Sequence, residues 1–110
     1  MGKHIDLSML AIKPLSTNEA WQGRRFKTEK YKQFQTYVLL MLPNISIVTP
    51  TSLIVIFGFS NKAADIDNPL KMFIDCLAKR YDFNDKCLMH LDVTKKIVPK
   101  GCEYIAFSLK

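Results

Sequence analysis

The chain has little with which to build a disulfide framework or a zinc site: its three cysteines, Cys76, Cys87 and Cys102, are odd in number and lack any C-x-x-C spacing. All three are expected to be buried or half-buried thiols. The two histidines, His4 and His90, belong to no ligand motif, and His90 falls on an expected strand, where it is structural or faces the site. Residues 1–13 contain no continuous apolar segment of the kind a signal peptide needs. The longest apolar tract, residues 38–48, is broken by Pro43-Asn44 and is too short to span a bilayer. A soluble protein of the cytoplasm with no membrane partner is expected. No linker or repeat divides the 110 residues, which make one domain, 1–110, with a real core.

What is present is charge, unevenly spread. Sixteen Lys and Arg against ten Asp and Glu leave a net charge of +6, which favours a polyanionic partner. With 48% hydrophobic and 24% charged residues the chain is globular rather than disordered. Six of the ten acids (Asp65, Asp67, Asp75, Asp82, Asp85 and Asp92) nevertheless crowd between positions 65 and 92. An acidic cluster inside a basic protein suits a metal centre that must also grip a phosphate backbone.

Periodicity sets the elements. Residues 5–15 read as a strand ending at Pro14. From Thr28, a favourable N-cap, Tyr31, Phe34, Val38, Met41 and Leu42 recur at helical spacing up to Pro43. Leu53-Ile54-Val55-Ile56-Phe57, bounded by Pro50 and Gly58, has the pattern of a strand in the middle of a sheet. A second helix opens with Asn68 as N-cap and Pro69 at the first helical position, and it buries Leu70, Phe73, Ile74, Leu77, Ala78 and Tyr81. Cys87, Met89, Leu91 and Val93 then alternate as the core face of a strand. Pro99 and Gly101 supply a turn, and Glu103, Ile105, Phe107 and Leu109 alternate to the end. The order strand, helix, strand, helix, hairpin predicts an α+β fold: a single small domain with a mixed sheet and two main helices.

The run Asp65-Ile66-Asp67-Asn68-Pro69-Leu70-Lys71 stands where the buried strand hands over to the second helix. Two carboxylates two residues apart point to the same side of an extended chain. Ionised oxygens of this kind are what Mg²⁺ takes, and the helix N-terminus beside them favours the ionised form. Lys71 lies near the helix start, where an acid would suit the dipole and the capping box, and it is within reach of a phosphate oxygen or the attacking water at a metal held by the aspartates. The spacing also fits two surface ion pairs, Asp67 with Lys71 and Asp75 with Lys79. Asp85, just ahead of a strand that would neighbour the central one, is a third carboxylate for the same centre or a turn residue beside Asn84.

A second constellation is Trp21-Gln22-Gly23-Arg24-Arg25-Phe26-Lys27, continued by Lys30 and Lys32. Cations in a loop that enters a helix suit phosphate contacts, which position a duplex without reading its sequence. Arg24, Arg25, Lys27, Lys30 and Lys62 are the expected DNA-binding residues, with Lys95, Lys96 and Lys100 as an extension. Trp21 and Phe26 either stack on distorted bases or anchor the loop to the core.

The D-x-D-N-x-x-K pattern of Asp65 to Lys71, followed by Asp75, Leu77 and Asn84-Asp85, resembles the RusA family of Holliday junction resolvases, in order from about Asn18 to the C-terminus. The resemblance implies a RusA-like fold and a small homodimer, often of phage or prophage type, that cuts four-way junction DNA with Mg²⁺ (Mn²⁺ in its place) and needs no small-molecule cofactor. It makes Asp65, Asp67 and Asp85 the metal-binding and catalytic carboxylates and Lys71 the catalytic lysine. Two departures stand out: one carboxylate, Asp85, remains where the family commonly has two adjacent aspartates, and Lys62-Ala63-Ala64 replaces an arginine-rich approach to the motif. The alternatives are a non-catalytic junction or duplex DNA-binding protein, and a flap or mismatch nuclease with the same metal chemistry.

Overall fold

Residues 52–59 organise the fold, because their branched and aromatic side chains suit a pleated, packed surface and lose rotamer freedom in a helix. The computed structural model describes residues 7–15, 21–22, 26–67 and 69–110. Its elements are β1 (Ser8–Leu10), β2 (Trp21–Gln22), β3 (Phe26–Lys27), α1 (Glu29–Met41), β4 (Ser52–Phe59), α2 (Leu70–Tyr81), a single 3-10 turn (Asp85–Cys87), β5 (His90–Ile97) and β6 (Tyr104–Leu109). The main sheet runs β1-β6-β4-β5 and is mixed: β4 pairs parallel with β5 and antiparallel with β6. β2 and β3 form a separate antiparallel ribbon. This is a small α+β domain built from a four-stranded mixed sheet and two helices.

One face of the sheet makes the core. Leu53, Val55 and Phe57 of β4 sit opposite Leu109, Phe107 and Ile105 of β6, and all six are buried. Phe73 of α2 docks onto this surface edge-on, its ring 6.2 Å from Phe57 and 5.4 Å from Phe107. Each such aromatic pair contributes roughly 0.5–1.5 kcal/mol beyond the area it buries. α1 adds Tyr31, Phe34 and Val38, and its C-cap Leu42, to the same cluster and packs against α2. Met41, expected inside, is exposed. At about 100° per residue it stands roughly 80° round the helix from Tyr31, off the stripe that Leu42 completes. α2 is buried more broadly than one stripe, since Met72 and Cys76 join Phe73, Ile74, Leu77 and Tyr81.

The ends of the helices follow local chemistry. The Thr28 hydroxyl accepts from the Tyr31 N–H at 3.2 Å and caps α1, as its sequence position predicts. At the far end of α2, Asp82 adopts the left-handed conformation (φ 54°, ψ 62°), and the Phe83 N–H returns to the Ala78 carbonyl at 3.1 Å. The Tyr81 hydroxyl donates to the Pro43 carbonyl at 2.6 Å, which ties α2 to the segment leaving α1.

Several expectations change. The last two strands are not a hairpin: β5 and β6 flank β4 on opposite sides. The connection crosses the end of β4, where the Val98 N–H donates to the Phe59 carbonyl at 2.7 Å and the Ser60 hydroxyl to Glu103 at 2.8 Å. Gly101 takes the positive φ of 93° that the turn needs. Turn chemistry announces a reversal, whereas the most apolar strand claims a neighbour on each edge. The first strand is only Ser8–Leu10, and residues 85–87 form a 3-10 turn ahead of β5 rather than its start. Cys76 is buried and Cys87 half-buried, but Cys102 is exposed on the turn. Among the described residues no helix is long and apolar enough to cross a membrane.

Asp82 is a non-glycine residue at a helix C-terminus in a left-handed conformation, with its carboxylate at the negative end of the dipole. Asp82→Gly is therefore expected to raise the unfolding free energy by about 0.5–1 kcal/mol. Urea denaturation with an unchanged m-value checks this; a loss of stability contradicts it.

Candidate functional site

The site begins where β4 ends. Past Ser60 the chain makes a compact turn in which the Asn61 side chain accepts from the Ala63 N–H at 2.9 Å and the Asn61 carbonyl accepts from the Ala64 N–H at 3.2 Å. Asparagine favours this arrangement because its short amide imitates a backbone acceptor. Asp65 and Asp67 follow, both exposed. The Asp67 carbonyl accepts from the Leu70 N–H at 3.1 Å, and the Pro69 carbonyl from the Phe73 N–H at 3.0 Å, so the loop runs directly into α2. Pro69 occupies the N-cap position rather than the first helical one. Asn68, expected as the cap, lies outside the described residues.

Asp85 reaches the site from the other end of the crossover. It precedes β5, and in a parallel pair that position belongs at the opposite end of the sheet from the loop that follows β4. After Asp82 the chain turns back, and the 3-10 turn rests on α2. The Asn84 side chain caps that turn by accepting from the Lys86 N–H at 3.0 Å. Asp85 thereby presents a carboxylate oxygen 3.0 Å from Lys71 Nζ, while Asp75, one helical turn on from Lys71, takes the same ammonium at 3.1 Å.

Lys71 thus serves two carboxylates, and Lys71 and Asp85 shift each other's titration. The hydrogen bond that Lys71 donates to Asp85, then the one it donates to Asp75, raises the Lys71 pKa above the ordinary lysine value. The hydrogen bond from Lys71 holds Asp85 below the usual carboxylate range. Asp75 also touches the core electrostatically: Tyr31 is pushed up to about 12, chiefly by burial and next by the Asp75 charge. Neither surface pair suggested by the spacing describes Lys71, whose partners are Asp75 and Asp85. Asp75 pairs back to Lys71 rather than forward to Lys79.

Lys71, Asp75 and Asp85 are brought together, and Asp65 and Asp67 share the loop that enters the same helix. Among the described residues no three His, Cys, Asp or Glu side chains are gathered so as to hold a metal ion. Asp65, Asp67 and Asp85 do not form such a group here. The loop pair suits a hard cation by its donor chemistry, because Mg²⁺ ordinarily takes one or two carboxylates together with waters and substrate phosphates.

The basic residues divide. Lys30 is exposed on α1 beside a cavity of about 250 Å³ shared with Ile12, Lys13, Leu15, Phe34 and Tyr37. Lys62 is exposed on the turn before Asp65, and Lys96 and Lys100 are exposed at the same end of the sheet, where β4 and β5 finish. Arg24, Arg25 and the side chains of Trp21, Phe26 and Lys27 lie outside the described residues. Lys95 is not the open footprint residue that the sequence suggests: it is half-buried, and its ammonium donates to the Lys62 carbonyl at 2.8 Å and to the Ala64 carbonyl. Its phase carried the signal, since it continues the core alternation of Leu91 and Val93 with a lysine.

The Lys71–Asp85 pair gives stability a two-sided pH dependence. Because folding lowers the Asp85 pKa, its contribution is complete above the unfolded value near ~4 and fades as pH falls through the folded value. Because folding raises the Lys71 pKa, the alkaline loss comes only as pH climbs through that raised value. The melting-temperature difference between wild type and Asp85→Asn is expected to be flat near neutrality and to shrink below about pH 4. A difference that grows on acidification contradicts the pair.

No protein-family model and no curated protein matches this chain, so its own residues carry the functional argument.

Proposed function

We propose that this protein is a Mg²⁺-dependent, structure-selective DNA endonuclease of RusA-like type that resolves four-way junctions as a homodimer. The observation that carries this reading is the 3.0 Å contact between Lys71 and Asp85, which joins the lysine of the D-x-D-N-x-x-K run to the acid fourteen residues further on. Three charges separated in the sequence, Lys71, Asp75 and Asp85, thereby meet on α2 just past the loop that carries Asp65 and Asp67.

Each residue has a role that its environment supports. Asp65 and Asp67 would hold the cation, which when bound makes a water nucleophilic near neutral pH and offsets charge on the phosphate. Lys71 stays protonated at neutral pH, and with two of its three N–H donors on Asp75 and Asp85 it keeps one for a phosphate oxygen. Asp85 stays ionised under the same conditions and holds that ammonium in place. Arg24, Arg25, Lys27, Lys30 and Lys62 would contact the DNA backbone, in keeping with the net charge of +6. A two-fold dimer would present two such sites to the two symmetric strands of a junction. The proposed setting is the cytoplasm of a bacterium or of a phage-infected host cell.

A non-catalytic DNA-binding protein is the second reading. It is favoured by the absence of a gathered three-ligand group among the described residues. Matched four-way junction, flap and linear duplex substrates, each with and without Mg²⁺, separate the readings. The expected result is cation-dependent nicking of the junction, with Asp65→Asn or Asp67→Asn lowering the rate by about 10²–10³ while binding persists, the scale of losing one key electrostatic group. Binding without cutting in Mg²⁺ or Mn²⁺ selects the second reading, and preferred flap cutting selects a flap nuclease. The double substitution Arg24→Ala, Arg25→Ala is expected to weaken junction binding and to flatten the log K against log salt slope by about two. An unchanged slope removes these arginines from the interface.

A further inference from the structure

We infer that Lys95 is a positioning residue that sets the loop carrying Asp65 and Asp67. The inference rests on the nuclease reading for its consequence in activity, though not for its structural content. Lys95 lies in β5 opposite Phe57 of β4, on the face that forms the core, where a lysine is out of place unless its charge is satisfied. The residue is half-buried and its ammonium lies 6.0 Å from the centre of the Phe59 ring. There the ammonium donates to the carbonyls of Lys62 and Ala64. Within the turn, Asn61 accepts from the N–H groups of Ala63 and Ala64 through its side chain and its carbonyl.

Covalent geometry passes this anchoring on to the site. The Ala64 carbonyl and the Asp65 N–H belong to one planar peptide, so fixing that carbonyl fixes the plane from which the Asp65 side chain departs. On the other side the Asp67 carbonyl is held by the Leu70 N–H of α2. Asp65, Ile66 and Asp67 therefore span a short bridge between two anchors, one supplied by β5 and one by α2. Lys95 touches neither the phosphate nor the cation in this account. It acts through the backbone.

The test uses Lys95→Met and Lys95→Arg in the full chain, with Lys95→Gln in place of the methionine variant should that fail to fold. In Lys95→Met, hydrogen exchange at the Ala63 and Ala64 amides is expected to accelerate at least tenfold while exchange in β4 and α2 stays at the wild-type rate, and Lys95→Arg restores protection. Junction affinity without divalent cation and its salt slope are expected to be unchanged, while the Mg²⁺ concentration for half-maximal cleavage rises about fivefold. Wild-type exchange at Ala63 and Ala64 in Lys95→Met overturns the inference, as does a salt slope lowered by about one, which marks a direct phosphate contact. If the wild-type protein cuts no DNA, the nuclease reading falls while the exchange result still decides the role of Lys95.

Discussion

The parallel pairing of β4 with β5 is the constraint on which the rest of the molecule depends. Parallel neighbours cannot be joined by a tight turn, so the chain must leave the end of β4, cross the sheet and return to the start of β5. α2 is that crossing, held on the sheet by Phe73 against Phe57 and Phe107. Both ends of the crossing carry acids, Asp65 and Asp67 on the way in and Asp85 on the way back. Their placement along one helix follows from the topology rather than from any attraction among like charges.

Lys71 lets that arrangement persist. Exposed ion pairs are individually weak, and this one gains its interest from position rather than strength. One ammonium shared by Asp75 and Asp85 offsets repulsion at the helix start and leaves Asp85 ionised at neutral pH. Lys95 does the complementary work beneath the loop, where backbone carbonyls instead of carboxylates receive the charge. Two lysines, one outside and one half inside, thus hold the two ends of the crossover's acidic segment, Lys71 through carboxylates and Lys95 through backbone carbonyls.

Much of this was legible in the sequence where a single local rule decides. Thr28 marks the start of α1, the run from Leu53 to Phe57 marks the central strand, and the apolar spacing after Pro69 marks α2. Legibility failed where the partner is remote. Pro99 and Gly101 announce a turn but do not say that β6 must pass beyond β4 to find its edge. Met89, expected on a core face, is 84% exposed because it precedes an edge strand that has only one neighbour. At the site, spacing alone leaves Lys71 free to choose Asp67 or Asp75, and it does not foresee that Asp85 arrives on a 3-10 turn to take a share. Lys95 was readable only by extending the period-two phase of β5 and noticing a lysine in the core register.

If this constellation cuts junctions in symmetric pairs, as proposed, a supercoiled plasmid extruding a cruciform reports it in one experiment. Two cuts within the lifetime of one complex convert the plasmid to the linear form, whereas a single cut gives the nicked circle. Linear product that depends on Mg²⁺ and requires Asp67 is the expected result. A plasmid that stays supercoiled with Mg²⁺ and with Mn²⁺, while the protein remains bound to it, contradicts the account.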